Sequence, residues 1–457
     1  MSFKAKVEKM PGYNALVRPV HWAQAVMASV KNGFPAKRLR VIAVTGTNGK
    51  TTTCFMIWKM LNEAGHRTGV LSTVGWATGA DDLHQQVEHM TTERVGVLNE
   101  RMKMVADAGA EFLVLETTSH ALSQSRILGV PVEIAVFTNL TPEHLDYHKT
   151  FEKYRKAKLK LFKRAKIGVV NADDPSADAF SSAIASLKSP VRGSSTGSTA
   201  SLRASTSPST SSKTTSSAND NSRHEVITYG IEKGEMRATG VELLPTGVEY
   251  ACGDMKIRTQ IPGKFNIYNS LAAVCVGKKL GLTKEAIERG IHALESVEGR
   301  MTRVREGQEF EVIVDYAHQP DALEKVFSSI SKAGRIISVH GGAGRRDPST
   351  REPRGEILGK YSDIVIITED DSRDEDPAEI AAMFVKGAEK AGKVQGKDLF
   401  IELDRRKAIE KAIQEARKGD IVLLLGKGHE KTILRADGAH EFEDIEVAKE
   451  VLKALGK

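Results

Sequence analysis

At 457 residues the chain is longer than one ordinary core sustains, and two or three domains are expected. Its 40% hydrophobic and 27% charged residues exclude a disordered or fibrous chain, and no apolar run approaches the roughly 18–20 residues of a membrane span. The formal charge of +7 suits an anionic substrate, but the basic residues are dispersed and no aromatic platform accompanies them, which argues against nucleic acid. Cys54, Cys252 and Cys275 show no C-x-x-C spacing, so neither a disulfide framework nor a zinc site is expected, and the cytoplasm is the expected compartment.

Along the chain, Met1–Lys9 is basic but leads into no apolar signal core. Val20–Met27 reads as a short amphipathic helix packed on the body of the protein, with a membrane-surface role as the other reading. Arg40–Thr45 is a β-branched run ending in a glycine loop, and Thr51–Ala64 carries apolar residues at helical spacing. Further buried strands are expected at Glu111–Glu116, Glu133–Thr138 and Ile167–Asn171, alternating with helices as in a parallel sheet. Residues 193–222 are mostly Ser and Thr and read as a disordered insertion. Antiparallel strands are expected from Val226–Gly230 through Arg258, then a helix over Asn266–Leu280. From about Gly299 a second α/β block begins, with strands at Glu311–Asp315, Arg335–Val339, Ile364–Thr368 and Ile421–Leu425. Asp315–His318, His340–Gly342 and Gly426–Glu430 fall at the carboxyl ends of those strands, where ligands bind in such sheets.

Gly46-Thr47-Asn48-Gly49-Lys50-Thr51-Thr52, between a strand and a helix, is a phosphate-binding device. Glycines let backbone N–H groups approach phosphate oxygens, Lys50 neutralises charge, and the Thr51 hydroxyl can ligate Mg²⁺. Val44 stands where the general Walker pattern has glycine, so this is a shortened variant. Glu116, ending a buried strand, can share that ion with Thr51 or serve as a structural pair.

Thr45–Thr52 resembles the ATP loop of the Mur ligase family. Glu116–His120, Thr138–Asp146, Tyr154–Lys158, Asn171–Pro175, Asp315–Pro320 and Gly426–Glu430 follow in the family's order, and the likeness, closest to the MurE type, spans about residues 33–457. It implies an α/β fold with a central P-loop-type ATPase domain at 39–297, a Rossmann-like C-terminal domain at 298–457 and a truncated N-terminal segment at 1–38. With 44 residues before Thr45, the uridine-gripping domain of MurE-type enzymes is expected to be largely missing.

The implied activity is ATP-dependent addition of a diamino acid to UDP-MurNAc-L-Ala-D-Glu through an acyl phosphate, by a monomer. Lys50, Lys158, His318 and Arg300 are the implied catalytic residues, and Asn266, Asn269, Arg300 and Asp315 join the loop in binding ATP. Thr51, Glu116, His144 and a carbamylated Lys158 are implied ligands of two Mg²⁺. Thr91, Thr92, Thr118, Gln124 and Arg126 match positions that hold the muramoyl peptide, and Arg346, Asp370, Asp371, Arg373, Gly426 and Glu430 match the amino-acid pocket. Diaminopimelate-adding enzymes usually carry D-N-P-R where this chain has Asp370-Asp371-Ser372-Arg373; the retained Arg373 favours meso-diaminopimelate over L-lysine. A ligase acting on another peptide or cofactor carboxylate is one alternative. A non-catalytic ATP-binding module is the other, and Glu116, His144 and Lys158 argue against it.

Overall fold

Aliphatic strands alternating with helices assemble two sheets, whose carboxyl ends face one another across a cleft. The structure is a computed structural model and describes residues 18–86, 90–186, 224–244, 246–330 and 334–456. The Ser/Thr-rich stretch at 193–222 and the basic Met1–Lys9 lie outside those residues.

The first sheet comprises β1 (Arg40–Thr45), β2 (Thr68–Leu71), β3 (Gly75–Ala77), β4 (His84–Gln85), β5 (Phe112–Glu116), β6 (Val132–Phe137), β7 (Ile167–Asn171), β8 (Glu225–Gly230) and β9 (Met236–Arg237). Their order is β4-β3-β2-β5-β1-β6-β7-β8-β9, parallel from β2 onward and antiparallel at the β3–β4 edge. Strands covered on both faces must be apolar throughout, which is why β1 and β5 read as continuous runs. The helix Lys50–Glu63 packs between this sheet and the helices Phe265–Lys279 and Lys284–His292 and is apolar on nearly every side. Its Trp58 satisfies its buried indole N–H on the carbonyls of Thr68 and Gly79, both at 3.0 Å.

The fold departs from the sequence expectation at β8. The Val226–Gly230 run does not open an antiparallel set: as β8 it pairs parallel with β7, Gly168 opposite Val226 and Val170 opposite Thr228. Burial against β7 and the 265–279 helix rewards that pairing, and no local turn signal could reveal it. The antiparallel strands begin only with β10 (Thr239–Leu244), β11 (Gly247–Cys252) and β12 (Met255–Thr259).

The second large sheet contains β13 (Thr302–Val304), β14 (Glu311–Asp315), β15 (Ile336–Gly342), β16 (Ile364–Glu369), β17 (Leu399–Ile401) and β18 (Ile421–Leu425), in the order β13-β14-β18-β15-β16-β17. Only β13 runs antiparallel. A hairpin, β19 (Thr432–Arg435) and β20 (Gly438–Glu441), follows β18. Arg405 and Asp444, both wholly buried, form a bidentate pair at 2.7 Å, and Arg405 also donates to the carbonyls of Glu369 and Leu425. That arginine pins the ends of β16 and β18, from which the pocket residues project.

The amphipathic N-terminal helix is present as Arg18–Lys31. Ala25 is buried and Ser29 bonds Asn99 on the 95–107 helix, whereas Trp22 and Met27 remain exposed.

Candidate active site

The phosphate loop leaves β1 at the centre of its sheet, where successive connections depart to opposite sides. The end of β6 clamps it. Thr138 Oγ1 and Asn139 Nδ2 donate to the Asn48 carbonyl at 2.7 and 3.0 Å, while the Asn48 N–H donates to Asn139 Oδ1 at 2.9 Å. Gly49 sits at φ 82°, and a Cβ there would lie 2.3 Å from Asn269 Oδ1. Gly49→Ala is therefore expected to weaken binding of a non-hydrolysable ATP analogue about tenfold, since left-handed strain costs about 1–3 kcal/mol. Calorimetric titration measures this, and unaltered affinity would exclude it.

Two lysines converge beneath the loop. Lys50 Nζ donates to the Thr47 carbonyl at 2.7 Å and Lys158 Nζ to the Gly46 carbonyl at 2.6 Å. Lys158 is buried and lies 4.7 Å from the Tyr154 ring centroid. Burial, reinforced by the Lys50 charge, pushes its amine well below the usual lysine range. Tyr154 contacts Thr47 Oγ1 at 3.1 Å and donates to Glu143 at 3.4 Å. Burial opposes ionisation of Glu143, but His144, Lys50, His318 and Lys158 outweigh it and hold the carboxyl below its ordinary range.

The Thr51 hydroxyl lies 3.1 Å from both oxygens of buried Glu116, which also accepts from Thr73 N and Oγ1 at 2.9 Å. This all-oxygen donor set fits a hard divalent cation. His144 stands 3.6 Å from Glu143 and packs edge-on against His120, 4.7 Å between ring centroids. Burial, with His144 adding, lowers His120 to about 2, so this histidine is neutral at physiological pH.

From the C-terminal sheet, Arg300 donates to Thr51 Oγ1 at 3.3 Å and stacks on Tyr316, 4.8 Å from its centroid. Asp315 is turned inward, accepting from Met301 N and Ala317 N at 2.8 Å each. His318 Nδ1 faces the Tyr316 carbonyl at 2.8 Å and so carries the proton, leaving Nε2 as an acceptor. Deeper in, Lys427 is fully buried, 2.9 Å from Asp371 and Glu430 and 3.3 Å from Asp370. Those three carboxylates approach one another closely enough to hold a metal ion, but the Lys427 ammonium already occupies their centre. Arg373 lies above them, donating to the Gly344 carbonyl at 2.7 Å.

One cavity of about 690 Å³ joins the two groups of residues, lined by Lys50, Glu116, Arg300, Arg346, Arg373 and Glu430 among others. Thr47–Thr52, Thr91, Thr118, His144, Asn266, Asn269, Asp315, His318, Asp370, Asp371 and Gly426 also line it. Asn266 donates to the Pro262 carbonyl at 2.7 Å and accepts from Asn269 at 2.9 Å. Thr92, Gln124 and Arg126 lie behind the lining, Thr92 bonded to the Glu116 carbonyl at 3.0 Å and Arg126 to Gln124 at 2.9 Å. Gly46 and Lys158 also stand behind it. Thr73, Glu143, Tyr154, Asp321 and Lys427 were not singled out from the sequence. Lys427 sits inside the Gly426–Glu430 motif, but its acidic partners Asp370 and Asp371 are 57 and 56 residues away.

The profile of the Mur ligase middle domain matches residues 44–219 and 209–277, and that of the Mur ligase glutamate ligase domain matches 299–428. The UDP-N-acetylmuramoyl-L-alanyl-D-glutamate--2,6-diaminopimelate ligase of Syntrophomonas wolfei is 36% identical, covering 95% of this chain and 82% of its own length. The UDP-N-acetylmuramyl-tripeptide synthetase of a Roseiflexus species is 37% identical with the same coverage. A solved UDP-N-acetylmuramoyl-L-alanyl-D-glutamate--2,6-diaminopimelate ligase superposes with a TM-score of 0.60 at 28% identity, covering 95% of this chain and 83% of that one. The folylpolyglutamate synthase of Mycobacterium tuberculosis shares the fold, with a TM-score of 0.67 at 14% identity and 95% coverage of both chains.

Proposed function

The chain belongs to the Mur ligase family, and we propose that it is the ATP-dependent ligase that adds meso-diaminopimelate to UDP-MurNAc-L-Ala-D-Glu in peptidoglycan precursor synthesis. The observation that carries this reading is the single cavity in which a phosphate loop faces a charged amino-acid pocket. Relatives at 34–37% identity over nearly the whole chain that are named as ligases of this type support the substrate. Three buried cysteines without disulfides suit a reducing cytosol.

The loop N–H groups and Lys50 bind the ATP phosphates, Asn266 and Asn269 flank the adenine side, and Asp315 holds the Arg300 turn in place. The peptide carboxylate, guided by Thr91 and Thr118 with Thr92, Gln124 and Arg126 behind them, attacks the γ-phosphate. Lys50 and Arg300 spread the charge that develops. Thr51 and Glu116 would hold one Mg²⁺, with His144 and a carbamylated Lys158 at a second; such ions supply Lewis-acid stabilisation of phosphoryl oxygens. Arg346 and Arg373 orient the carboxylates of the incoming amino acid and Gly426 and Glu430 its distal amine. The α-amine then displaces phosphate from the acyl carbon. His318, which lines the cavity with its Nδ1 engaged by the Tyr316 carbonyl, offers Nε2 as an acceptor for this step.

Phosphate release with UDP-MurNAc-L-Ala-D-Glu, compared between meso-diaminopimelate and lysine, tests the assignment. Release is expected with diaminopimelate, and none with any amino acid sinks it. Arg373→Ala is expected to raise the KM for diaminopimelate at least about tenfold, because a charge-assisted bidentate contact contributes about 1.5–3 kcal/mol. An unchanged KM would remove Arg373 from recognition of the distal carboxylate.

A further inference from the structure

Asp321 lies in the first turn of the helix Pro320–Ser329, on the C-terminal side of the cavity. A carboxylate there commonly serves only its own helix. This one points elsewhere. Its Oδ2 accepts from Asn48 Nδ2 at 2.7 Å, from Thr141 Oγ1 at 3.2 Å and from Lys325 Nζ at 2.7 Å. Asn48 and Thr141 belong to the central unit, 273 and 180 residues away in sequence.

The Asn48 backbone is already held from the opposite side by Thr138 and Asn139, which leaves its side chain to reach across the cleft. Thr141 is tied to the same loop, its N–H donating to Thr47 Oγ1 at 3.0 Å and its carbonyl accepting from that hydroxyl at 3.2 Å. The Asp321 carboxylate therefore grips the phosphate loop directly at Asn48 and indirectly through Thr141, and its neighbour Lys325 offsets the charge it brings. An ordered loop presents both Asn48 and Thr141 to the approaching helix; a displaced loop presents neither together.

We infer that Asp321 is a positioning residue that couples closure of the C-terminal unit to the state of the phosphate loop, keeping water from the acyl phosphate while the amine arrives. The inference rests on the ligase reading above. In an incompletely closed site, water adds its oxygen to the acyl carbon, inorganic phosphate leaves with the bonding pair, a proton passes to solvent, and ATP is spent without an amide.

The test measures phosphate released and amide formed in parallel, with Asp321→Ala and Thr141→Val beside the wild-type protein. Asp321→Ala is expected to lower kcat about tenfold and to raise the phosphate-to-amide ratio at least about twofold above stoichiometric. Thr141→Val should raise that ratio less. A lowered melting temperature with a stoichiometric ratio would make Asp321 a helix-stabilising residue and overturn the inference. Absence of amino-acid-dependent turnover in the wild-type protein would instead sink the ligase reading. Closure is then read independently of activity by small-angle scattering with a non-hydrolysable ATP analogue. A larger radius of gyration for Asp321→Ala supports the coupling, and equal radii overturn it.

Discussion

Lys158→Ala should reduce ADP formation by about 10³-fold, the scale on which a preorganised charge at a phosphoryl-transfer site acts. The ammonium of an ordinary lysine would repel Lys50 across the loop. Instead the Lys158 amine is buried, bonded to the Gly46 carbonyl, and shifted well below its usual range first by burial and then by Lys50. An uncharged amine adds to carbon dioxide and gives up a proton, leaving a carbamate whose oxygens ligate a divalent cation. The environment thus favours the form that can be carbamylated. Wild-type protein equilibrated with ¹³C-bicarbonate should show a carbamate carbon resonance that Lys158→Ala lacks. Lys158→Arg separates this from a mere strut under the loop. It keeps a donor for Gly46 but cannot form the carbamate, and it should be as inactive as the alanine variant. An undiminished rate in Lys158→Ala would remove the carbamate from the mechanism.

The phosphate loop was legible because its signal is local: a β-branched strand, two glycines and a lysine, then an apolar helix. Apart from the short β2, β3, β4, β9, β13 and β17, which went unread, the strands of both sheets were legible for the same reason. Pairings across long separations were not. Val226–Gly230 carries no mark of whether it joins β7 in parallel or turns back into a hairpin, and burial against β7 and the 265–279 helix decides it. The β19–β20 hairpin did have a signal, Gly438 directly after the two-residue connection Ala436-Asp437, which suits a tight turn. In the site, residues inside a glycine-rich motif could be read, but those defined by distant partners could not. Asp321 follows Pro320 and looks like any acid in a helix's first turn, yet its oxygen serves Asn48 and Thr141.

Lys427 is the sharper case, and its removal should produce the largest loss of stability. Its side chain has no solvent exposure and answers three carboxylates, Asp370, Asp371 and Glu430. Lys427→Met leaves those carboxylates in a site that Lys427 no longer neutralises. Removing one partner of a buried pair costs about 3–5 kcal/mol, which for a unit of this size lowers the melting temperature by about 10 °C. The pH dependence distinguishes this cause from simple loss of packing. In the wild-type protein burial opposes ionisation of Asp370, but Lys427 and Arg405 prevail and hold its carboxyl well below the usual range. Its stabilising contribution is therefore present above the unfolded carboxylate pKa of about 3.9 and is lost as pH falls further. In Lys427→Met nothing from Lys427 opposes burial: Asp370 rises, and Asp371, which burial already holds above its usual range in the wild-type protein, rises further. The native state then binds more protons than the unfolded state, so the variant gains stability as pH falls from 8 towards 5. Differential scanning calorimetry across that range should show the gap to wild type narrowing on acidification. Parallel curves would mean that the ammonium fills space without balancing the acids. Asp371 also accepts the Leu434 N–H at 3.1 Å, so a released carboxylate loosens the β19–β20 hairpin beside Arg373. Loss of diaminopimelate affinity should accompany loss of stability, because one buried cation shapes both the hydrophilic floor of the pocket and the arginine above it.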